Sequence, residues 1–467
     1  MRSTLFFAQV LSLVLIAPPI QAAEWPQFRG PDAGGVAEDA ELPGLWSPET
    51  QVHWKVQVPG AGWSCPVVWM DKIFVTTAVT ENQAKPSQTR GGGGRGGFGG
   101  FGGGGPPDVM YRWEVHCLDR ATGETLWMQV AIEQKPTIAT HRTNTYASET
   151  PVTDGERVYA YFGMTGLFCY DLAGNLIWKK DLGSYSMMLG WGTGSSPALE
   201  GELLFIQCDN EEESFLAAFD KRTGDEKWRV KREEKSSWST PFVWRNKART
   251  ELVVLGSTVR SHDPATGDVL WELAGMNGRC NASPVADAET IYFGGGGFGG
   301  GGRGFGGRPG GQGGGGQGGG RGGVPLVAVR AGAAGKISLD VAGGESSFIA
   351  WNKASGGPSM ASPLLYGGHL YILDQRAGFL TCLDAATGEE RYRERVSDTQ
   401  GFTASPWASK DRIFCLDADG QTHVVKAGPA FERLAENRLD EMCWSTPAVA
   451  GDHLLIRTVD NLYCFKP

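Results

Sequence analysis

A dipeptide of Ser or Thr followed by Pro recurs along this chain and constrains its fold more than any other feature. Only the first of the eight copies departs, with Cys65 in place of Ser or Thr. Five of the seven intervals between successive repeat prolines span 41–46 residues, and a period of this size indicates an array of one supersecondary unit. The repeat prolines are Pro66, Pro151, Pro197, Pro241, Pro284, Pro363, Pro406 and Pro447.

Each unit has the pattern of four short strands. Apolar runs rich in β-branched and aromatic residues alternate with turns, and the turn before the fourth strand reads Asp-x-x-Thr-Gly in four units, as in Asp119–Gly123, and Asp-Leu-Ala-Gly in a fifth. An aromatic residue follows that glycine by four positions, and we expect it to dock neighbouring units together. These predicted docking residues are Trp127, Trp178, Trp228, Trp271 and Tyr392.

Four antiparallel strands in 41–46 residues are typical of a propeller blade, and the count of repeats predicts an all-β, eight-bladed β-propeller. The last unit has room for only three strands. We expect residues 51–58 near the N-terminus to supply its fourth strand, with Trp54 as the docking residue of blade 8. Blade 7 is the weakest match, because its predicted fourth strand, near Ala430 to Arg433, lacks a tryptophan.

The N-terminus has the form of a secretory signal. Residues 1–23 contain Arg2, an apolar run from Leu5 to Ile16 and then small residues, with cleavage expected after Ala22 or Ala23. The chain is therefore expected to be exported, to the periplasm, the cell envelope or the medium. No other stretch is long and apolar enough to span a bilayer. Residues 24–467 are expected to form a single domain, and a monomer.

Two glycine-rich segments interrupt the repeat. Residues 91–105 and 294–323 contain 12 and 22 of the 69 glycines, and both are predicted to be flexible insertions between the second and third strands of blades 1 and 5. They would leave the same face of the ring. They carry arginine and phenylalanine but no acid, so they are either solvated loops or contacts for a polymer or an acidic protein. The net charge of −9 argues against nucleic acid as a partner.

The nine cysteines divide into two groups. Cys117, Cys169, Cys382 and Cys464 fall in one column of small residues on the third strands, which predicts tight packing between blades rather than disulfides. One disulfide among the other five cysteines remains open: Cys65, Cys208, Cys280, Cys415 and Cys443.

Residues just before the repeat prolines would face the mouth of the central channel. There they form a concave set of aromatic and polar side chains, the usual form of a ligand pocket. Alternatively, the tryptophans pack between inner strands and Glu149 pairs with Arg142 or a backbone amide. No catalytic pair or metal-ligand spacing stands out. The candidates are Trp63, His141, Arg142, Asn144, Glu149, Trp191, Trp238, Asn277, Arg279, Asn281 and Trp444.

The repeated Asp-x-x-Thr-Gly-x-x-x-Trp resembles the docking motif of the pyrroloquinoline quinone (PQQ) repeat superfamily, which holds quinoprotein alcohol dehydrogenases and the assembly lipoprotein BamB. The opening residues Trp25 to Pro31, with Ala147 to Pro151 and Gly190 to Gly194, look like exported PQQ-like propellers of planctomycetes. The resemblance implies that, in the dehydrogenases, a pair of adjacent cysteines covers the quinone and a Glu/Asn/Asp set binds calcium. No two cysteines are adjacent here, and no aspartate is convincingly placed as the base.

Two hypotheses of different classes follow. The favoured one is an exported, non-catalytic, BamB-like scaffold that binds an envelope protein or polymer and needs no cofactor. The alternative is a PQQ-dependent dehydrogenase that oxidises an alcohol or sugar at the channel mouth. In that case Glu149 and Asn281 would hold calcium beside the quinone, with Trp238 or Trp444 stacked on it.

Overall fold

Four-stranded antiparallel sheets repeat around a central channel in the computed structural model, which describes residues 24–87, 105–276, 278–295, 324–339, 347–375, 377–398 and 401–467. The predicted signal segment, residues 1–23, lies outside the described residues. So do the two glycine-rich segments, except for Gly105, Gly294 and Gly295. Within the described ranges no helix is long and apolar enough to cross a membrane.

The eight predicted blades are confirmed, and each begins with its innermost strand. Blade 1 contains β2 (Val67–Trp69), β3 (Lys72–Val79), β4 (Tyr111–Asp119) and β5 (Thr125–Gln134). Blade 2 contains β6 (Val152–Thr153), β7 (Arg157–Phe162), β8 (Gly166–Asp171) and β9 (Leu176–Lys180). Blade 3 contains β10 (Ala198–Glu200), β11 (Leu203–Cys208), β12 (Phe215–Asp220) and β13 (Glu226–Lys231). Blade 4 contains β14 (Phe242–Arg245), β15 (Thr250–Val254), β16 (Thr258–His262) and β17 (Val269–Ala274).

The second half of the ring has the same order. Blade 5 contains β18 (Val285–Ala286), β19 (Thr290–Gly294), β20 (Leu326–Arg330) and β22 (Ile349–Lys353), while β21 (Gly335–Ile337) joins blade 4 as a fifth strand. Blade 6 contains β23 (Leu364–Tyr366), β24 (His369–Leu373), β25 (Phe379–Asp384) and β26 (Glu390–Arg395). Blade 7 contains β27 (Trp407–Ser409), β28 (Arg412–Leu416), β29 (Gln421–Lys426) and β30 (Arg433–Arg438). Blade 8 contains β31 (Ala448–Ala450), β32 (His453–Arg457) and β33 (Asn461–Phe465). A 3-10 turn, Met188–Gly190, lies in the connection between blades 2 and 3.

The ring is closed as predicted by the N-terminal strand β1 (Val52–Gln57). It pairs antiparallel with β33 and places Trp54 opposite Cys464. The fourth strand of blade 7 differs from its predicted position. It begins at Arg433, where the predicted strand ends, because residues 427–432 form the turn that precedes it.

The Ser/Thr-Pro repeat forms a ring of hydrogen bonds around the channel. At seven of the eight blade junctions, the backbone N–H of the residue before the repeat proline donates to the side chain of the equivalent residue in the next blade. The donor-to-acceptor pairs and distances are Cys65 to Thr150 (3.0 Å), Thr150 to Ser196 (2.9 Å), Ser196 to Thr240 (3.1 Å), Thr240 to Ser283 (3.0 Å), Ser283 to Ser362 (2.9 Å), Ser362 to Ser405 (3.0 Å) and Ser405 to Thr446 (2.9 Å). We call this set the hydroxyl ring. At the junction of blades 8 and 1, Cys65 replaces the hydroxyl residue, and burial raises the pKa of its thiol.

Tryptophan docking joins the blades nearer the outside of the ring. The indole N–H of the docking residue donates to a carbonyl in the turn of the next blade, and the glycine of that turn lies against the ring. At Gly123, for example, an added Cβ would come within 2.6 Å of Trp54, so only glycine fits. The pairs are Trp54 with Arg120, Trp127 with Leu172, Trp178 with Lys221, Trp228 with Pro264 and Trp351 with Ala385. Four predicted docking residues are thereby confirmed, and Trp351 of blade 5 is one that the sequence reading missed.

Trp271 does not dock in this way. Its indole N–H donates to Glu251 in its own blade at 2.7 Å, and its ring stacks on Phe293 of blade 5. The cause is the connection between β20 and β22, which replaces the Asp-x-x-Thr-Gly turn of blade 5. That connection supplies β21, which pairs in parallel with β17 and covers the outer edge of blade 4.

Tyr392 also departs from the tryptophan pattern. Its ring lies edge-on against Phe431 of blade 7, at 5.6 Å between ring centroids, because the turn of blade 7 lacks the Asp-x-x-Thr-Gly sequence.

Four of the cysteines belong to the column of small residues on the third strands. Cys117, Cys169, Cys382 and Cys464 each lie opposite an aromatic docking residue in the strand register, where a larger side chain would collide with the ring. All nine cysteines lie within the described residues, and no disulfide forms among them.

The first test concerns the hydroxyl ring. Ser362→Ala removes the acceptor of the buried Ser283 N–H, and we expect the free energy of unfolding to fall by about 1–3 kcal/mol. Ser362→Cys should lose less free energy of unfolding than Ser362→Ala, because sulfur still accepts a weak hydrogen bond and the ring already contains Cys65. Urea unfolding monitored by tryptophan fluorescence measures both. A loss below about 0.5 kcal/mol for Ser362→Ala would show that the ring contributes little.

Candidate ligand-binding mouth

The mouth of the channel is built by the segments that precede the repeat prolines. Backbone groups of these segments bond directly across neighbouring blades. The N–H groups of Trp63 and Ser64 both donate to the carbonyl of Ala147, and those of Trp238 and Ser239 both donate to the carbonyl of Cys280. The rim is therefore held by the main chain, and its side chains project from a rigid frame.

Two tryptophan pairs lie on this rim. Trp63 stacks on Trp444 across the junction of blades 1 and 8, with ring centroids 6.0 Å apart, and only 6% of Trp63 is exposed. Trp191 and Trp238 lie 5.8 Å apart at the connections into blades 3 and 4. The indole N–H of Trp63 donates to the carbonyl of Thr143, and that of Trp238 donates to the carbonyl of Gly192. The structure therefore brings the predicted tryptophans together in pairs that pack between blades.

Asn144 links these two parts of the rim. Its amide N–H donates to the carbonyls of Trp191 and Thr193, at 2.8 and 3.1 Å. Its Oδ1 accepts hydrogen bonds from the N–H of Thr145 and the hydroxyl of Ser148. These four bonds use the hydrogen-bonding capacity of the amide within the fold.

His141 and Arg142 lie beside Asn144. His141 Nδ1 lies 2.7 Å from the hydroxyl of Thr143, while Arg142 is exposed. Partial burial lowers the pKa of His141, and the charge of Arg142 lowers it further. His141 is therefore mainly neutral at pH 7.

The other basic and amide candidates bind across blade junctions. Arg279 pairs with Glu211 of blade 3 at 3.4 Å. Asn281 donates from Nδ2 to the carbonyl of Ser359, in the connection to blade 6, at 3.0 Å. Asn277 lies outside the described residues.

Glu149 does not sit open at the mouth. It is 1% exposed, and its Oε1 accepts a hydrogen bond from the N–H of Gly163, in its own blade, at 3.1 Å. Of the two partners predicted for Glu149, Arg142 or a backbone amide, the structure shows a backbone amide, that of Gly163. Burial raises the pKa of Glu149 to about 7, and hydrogen bonds from Thr193 and Gly163 oppose this rise.

Two features of the channel could not be predicted from the sequence repeat. A cleft of about 340 Å³ lies on the mouth face between blades 7, 8 and 1 and is lined by Asp419, Arg438 and Glu441 among others. At the other end, residues Trp25 to Ala37 run along the innermost strands. Trp25 bridges to Val68 in β2, and Val36 bridges to Ala408 in β27. Because this segment occurs once, periodicity could not place it.

The family follows from this repeat architecture and from one direct match. A family model described as "Outer membrane protein assembly factor BamB" matches residues 112–297 and 256–428. The chain belongs to the PQQ-repeat β-propeller family. A comparison with curated proteins found no match.

Solved structures of other PQQ-repeat propellers share the fold. BamB from Moraxella catarrhalis is 11% identical over 90% of this chain and 97% of its own, with a TM-score of 0.55. The quinohemoprotein alcohol dehydrogenase from Comamonas testosteroni is 12% identical over 95% of this chain and 80% of its own, with a TM-score of 0.57. The quinohemoprotein alcohol dehydrogenase ADHIIG from Pseudomonas putida HK5 is 10% identical, with the same coverage and a TM-score of 0.53. At these identities the likeness shows the fold alone.

Two predicted quinone-site residues of this PQQ-repeat propeller are bonded within the fold. Glu149 accepts a hydrogen bond at Oε1 from the N–H of Gly163, and Asn281 donates from Nδ2 to the carbonyl of Ser359. Within the described ranges, no group of three or more His, Cys, Asp or Glu side chains is placed to hold a metal ion. No two of the nine cysteines are adjacent in the sequence.

The burial of Glu149 predicts a pH-dependent stability. The ordinary pKa of the carboxyl is 4.5 and its folded value is about 7. Between these values the folded state keeps a proton that the unfolded state releases. The stability that this proton contributes is therefore present below pH 4.5 and is lost as the pH rises through 7. Glu149→Gln should unfold with a higher free energy than the parent at pH 8, by up to about 3 kcal/mol, and equally at pH 4.5.

The control for this prediction is Glu211→Gln. Bonds from Ser236 and Arg279 lower the pKa of Glu211 even though burial opposes them, so this substitution should destabilise the chain at pH 8. Thermal unfolding between pH 4.5 and 8 measures both variants. Equal pH profiles for Glu149→Gln and the parent would show that folding does not raise the pKa of Glu149.

Proposed function

We propose that this chain is an exported, non-catalytic PQQ-repeat propeller that binds a protein or a polymer on its mouth face. The observation that carries the proposal is the state of the polar groups at the mouth. Asn144, Glu149, Arg279 and Asn281 already bind other parts of the fold. The mouth therefore offers a shaped surface rather than a convergent set of reactive groups.

The exposed residues of the mouth face support surface binding. Leu189 is 52% exposed in the 3-10 turn between blades 2 and 3, and Val109 and Met110 are each 47% exposed just before β4. Arg142 is exposed on the same face. Exposed apolar side chains beside a charged one are the composition of a protein-binding surface.

The N-terminal segment limits access from the other side. Residues Trp25 to Ala37 pair with innermost strands at positions that follow the repeat prolines, whereas the mouth residues precede them. The channel is thus closed at the end opposite the mouth. We therefore expect a macromolecular partner to bind on the mouth face and to contact the apolar side chain of Leu189.

Leu189 and Met70 provide a matched pair for testing which face binds. Both are exposed apolar residues at positive φ, 51° and 52°, and Met70 lies in the turn between β2 and β3 on the opposite face. Leu189→Asp should weaken capture of an envelope protein or polymer at least about fivefold, the effect of losing about 1 kcal/mol at an interface. Met70→Asp should leave capture unchanged.

The measurement uses the purified mature chain, immobilised and exposed to envelope extract and separately to isolated cell-wall polymer. Mass spectrometry and sugar analysis quantify the bound material. Equal losses for the two variants would contradict binding on the mouth face. Stoichiometric binding of PQQ with calcium, together with dye-coupled oxidation of an alcohol or aldose, would contradict the non-catalytic proposal.

Export makes a separate prediction about the N-terminus. If residues 1–23 form a signal peptide, the protein recovered from its natural cells should begin at Ala23 or Glu24. N-terminal sequencing of the native protein measures this. A chain that retains Met1 or Arg2 would contradict export by this route.

A further inference from the structure

Arg29 is a buried cation at the closed end of the channel. It belongs to the segment that follows Trp25, and its side chain is 1% exposed. Nη1 donates to the carbonyl of Pro284 at 3.3 Å, and Nη2 donates to the carbonyls of Gly34 and Pro363. Pro284 and Pro363 are repeat prolines of blades 5 and 6. The guanidinium therefore joins two blades and its own segment.

The backbone around Arg29 is shaped to deliver this side chain. Arg29 has a φ of 64° and Gly30 a φ of 81°, so two consecutive residues lie in the left-handed region. That conformation costs about 1 kcal/mol or more for a residue with a Cβ and is kept only where the surroundings enforce it. The hydrogen bonds from the guanidinium to Pro284 and Pro363 are interactions of that kind.

The ligands of Arg29 are all neutral carbonyls. Within the described part of the chain no carboxylate pairs with it, and burial alone lowers its pKa to about 9. Two of these acceptors are the carbonyls of the repeat prolines Pro284 and Pro363. Proline has a carbonyl but no N–H, so a ring of prolines presents acceptors to the channel without donors at the same positions. Such a ring favours a cation with several N–H donors in one plane.

We propose that the proline carbonyls at the closed end of the channel form a guanidinium-binding site and that Arg29 is its tethered ligand. The occupied site fastens the N-terminal segment across the ring. Neighbouring bonds hold the segment on both sides: the carbonyl of Pro26 accepts from the N–H of Thr153 in blade 2, and the carbonyl of Gly35 accepts from the N–H of Ala408 in blade 7.

The test is chemical rescue of the full-length mature chain. Arg29→Ala leaves a hole lined by carbonyls, and guanidinium chloride at low millimolar concentration should fill it and raise the melting temperature in a saturable way. At a concentration ten times the dissociation constant, the folded-to-unfolded ratio should rise about elevenfold. The parent chain should show no rise. Sodium chloride at equal ionic strength and tetramethylammonium, a cation without N–H donors, should not substitute.

Arg412→Ala is the matched control. Arg412 also anchors the N-terminal part of the chain, by donating to the carbonyl of Leu42 just beyond the Trp25–Ala37 segment at 3.1 Å, but it is only partly buried. Its removal breaks this bond without leaving an enclosed site, so guanidinium should not stabilise this variant. Equal stabilisation of both variants, or rescue of Arg29→Ala by sodium chloride, would overturn the proposal.

A second readout does not need the alanine variant to fold. In the arginine-labelled parent chain, the Nε proton of Arg29 should exchange slowly with water at pH 7.5, because the whole side chain is enclosed. Arg29→Lys, which keeps the charge, assigns the signal by its loss. Exchange as fast as that of exposed arginines would show that the site is open and would also overturn the proposal.

Discussion

The hydroxyl ring is the interaction on which the rest of the structure depends. Each repeat proline restricts the residue before it to an extended backbone, so the hydroxyl of that residue has a defined direction. The hydroxyl then accepts the N–H of the previous blade at 2.9–3.1 Å. Because every step joins only neighbouring blades, the array behaves as a series of identical contacts, and the stability of the ring grows with each repeat. The mouth before the prolines and the carbonyls of the prolines are both positioned by this ring.

The number of blades, the closing strand and most docking residues could be predicted because they recur with a period. The same reasoning fails where a repeat is altered. Trp271 has the correct spacing, but blade 5 has no Asp-x-x-Thr-Gly turn, and the indole N–H of Trp271 donates to Glu251 instead. Trp351 fills the docking position of blade 5 although the long connection before it hides the spacing. Spacing therefore predicts a position, whereas the contact made there depends on the neighbouring blade.

The candidate site was less predictable, for a related reason. Spacing predicted which residues would lie near the mouth, but it carries no information on which hydrogen bonds their side chains already make. Asn144 satisfies four bonds within the rim, and Glu149 turns towards Gly163 in its own blade. Arg29 lies in a segment without repeats, so no comparison within the chain could place it in the channel.

The junction of blades 8 and 1 shows how the ring meets the entropic cost of closure. It joins residues nearly 400 positions apart, for which the loop-closure term is roughly 5 kcal/mol beyond a constant. The hydroxyl ring is weakest at this point, because Cys65 replaces a hydroxyl with sulfur, which is a weak acceptor. Two other interactions are concentrated there. Trp54 docks on the turn of blade 1, and the buried Arg457 donates to the carbonyl and hydroxyl of Ser64. A charged donor and a large ring thus offset the weaker sulfur contact where the chain ends must be held together.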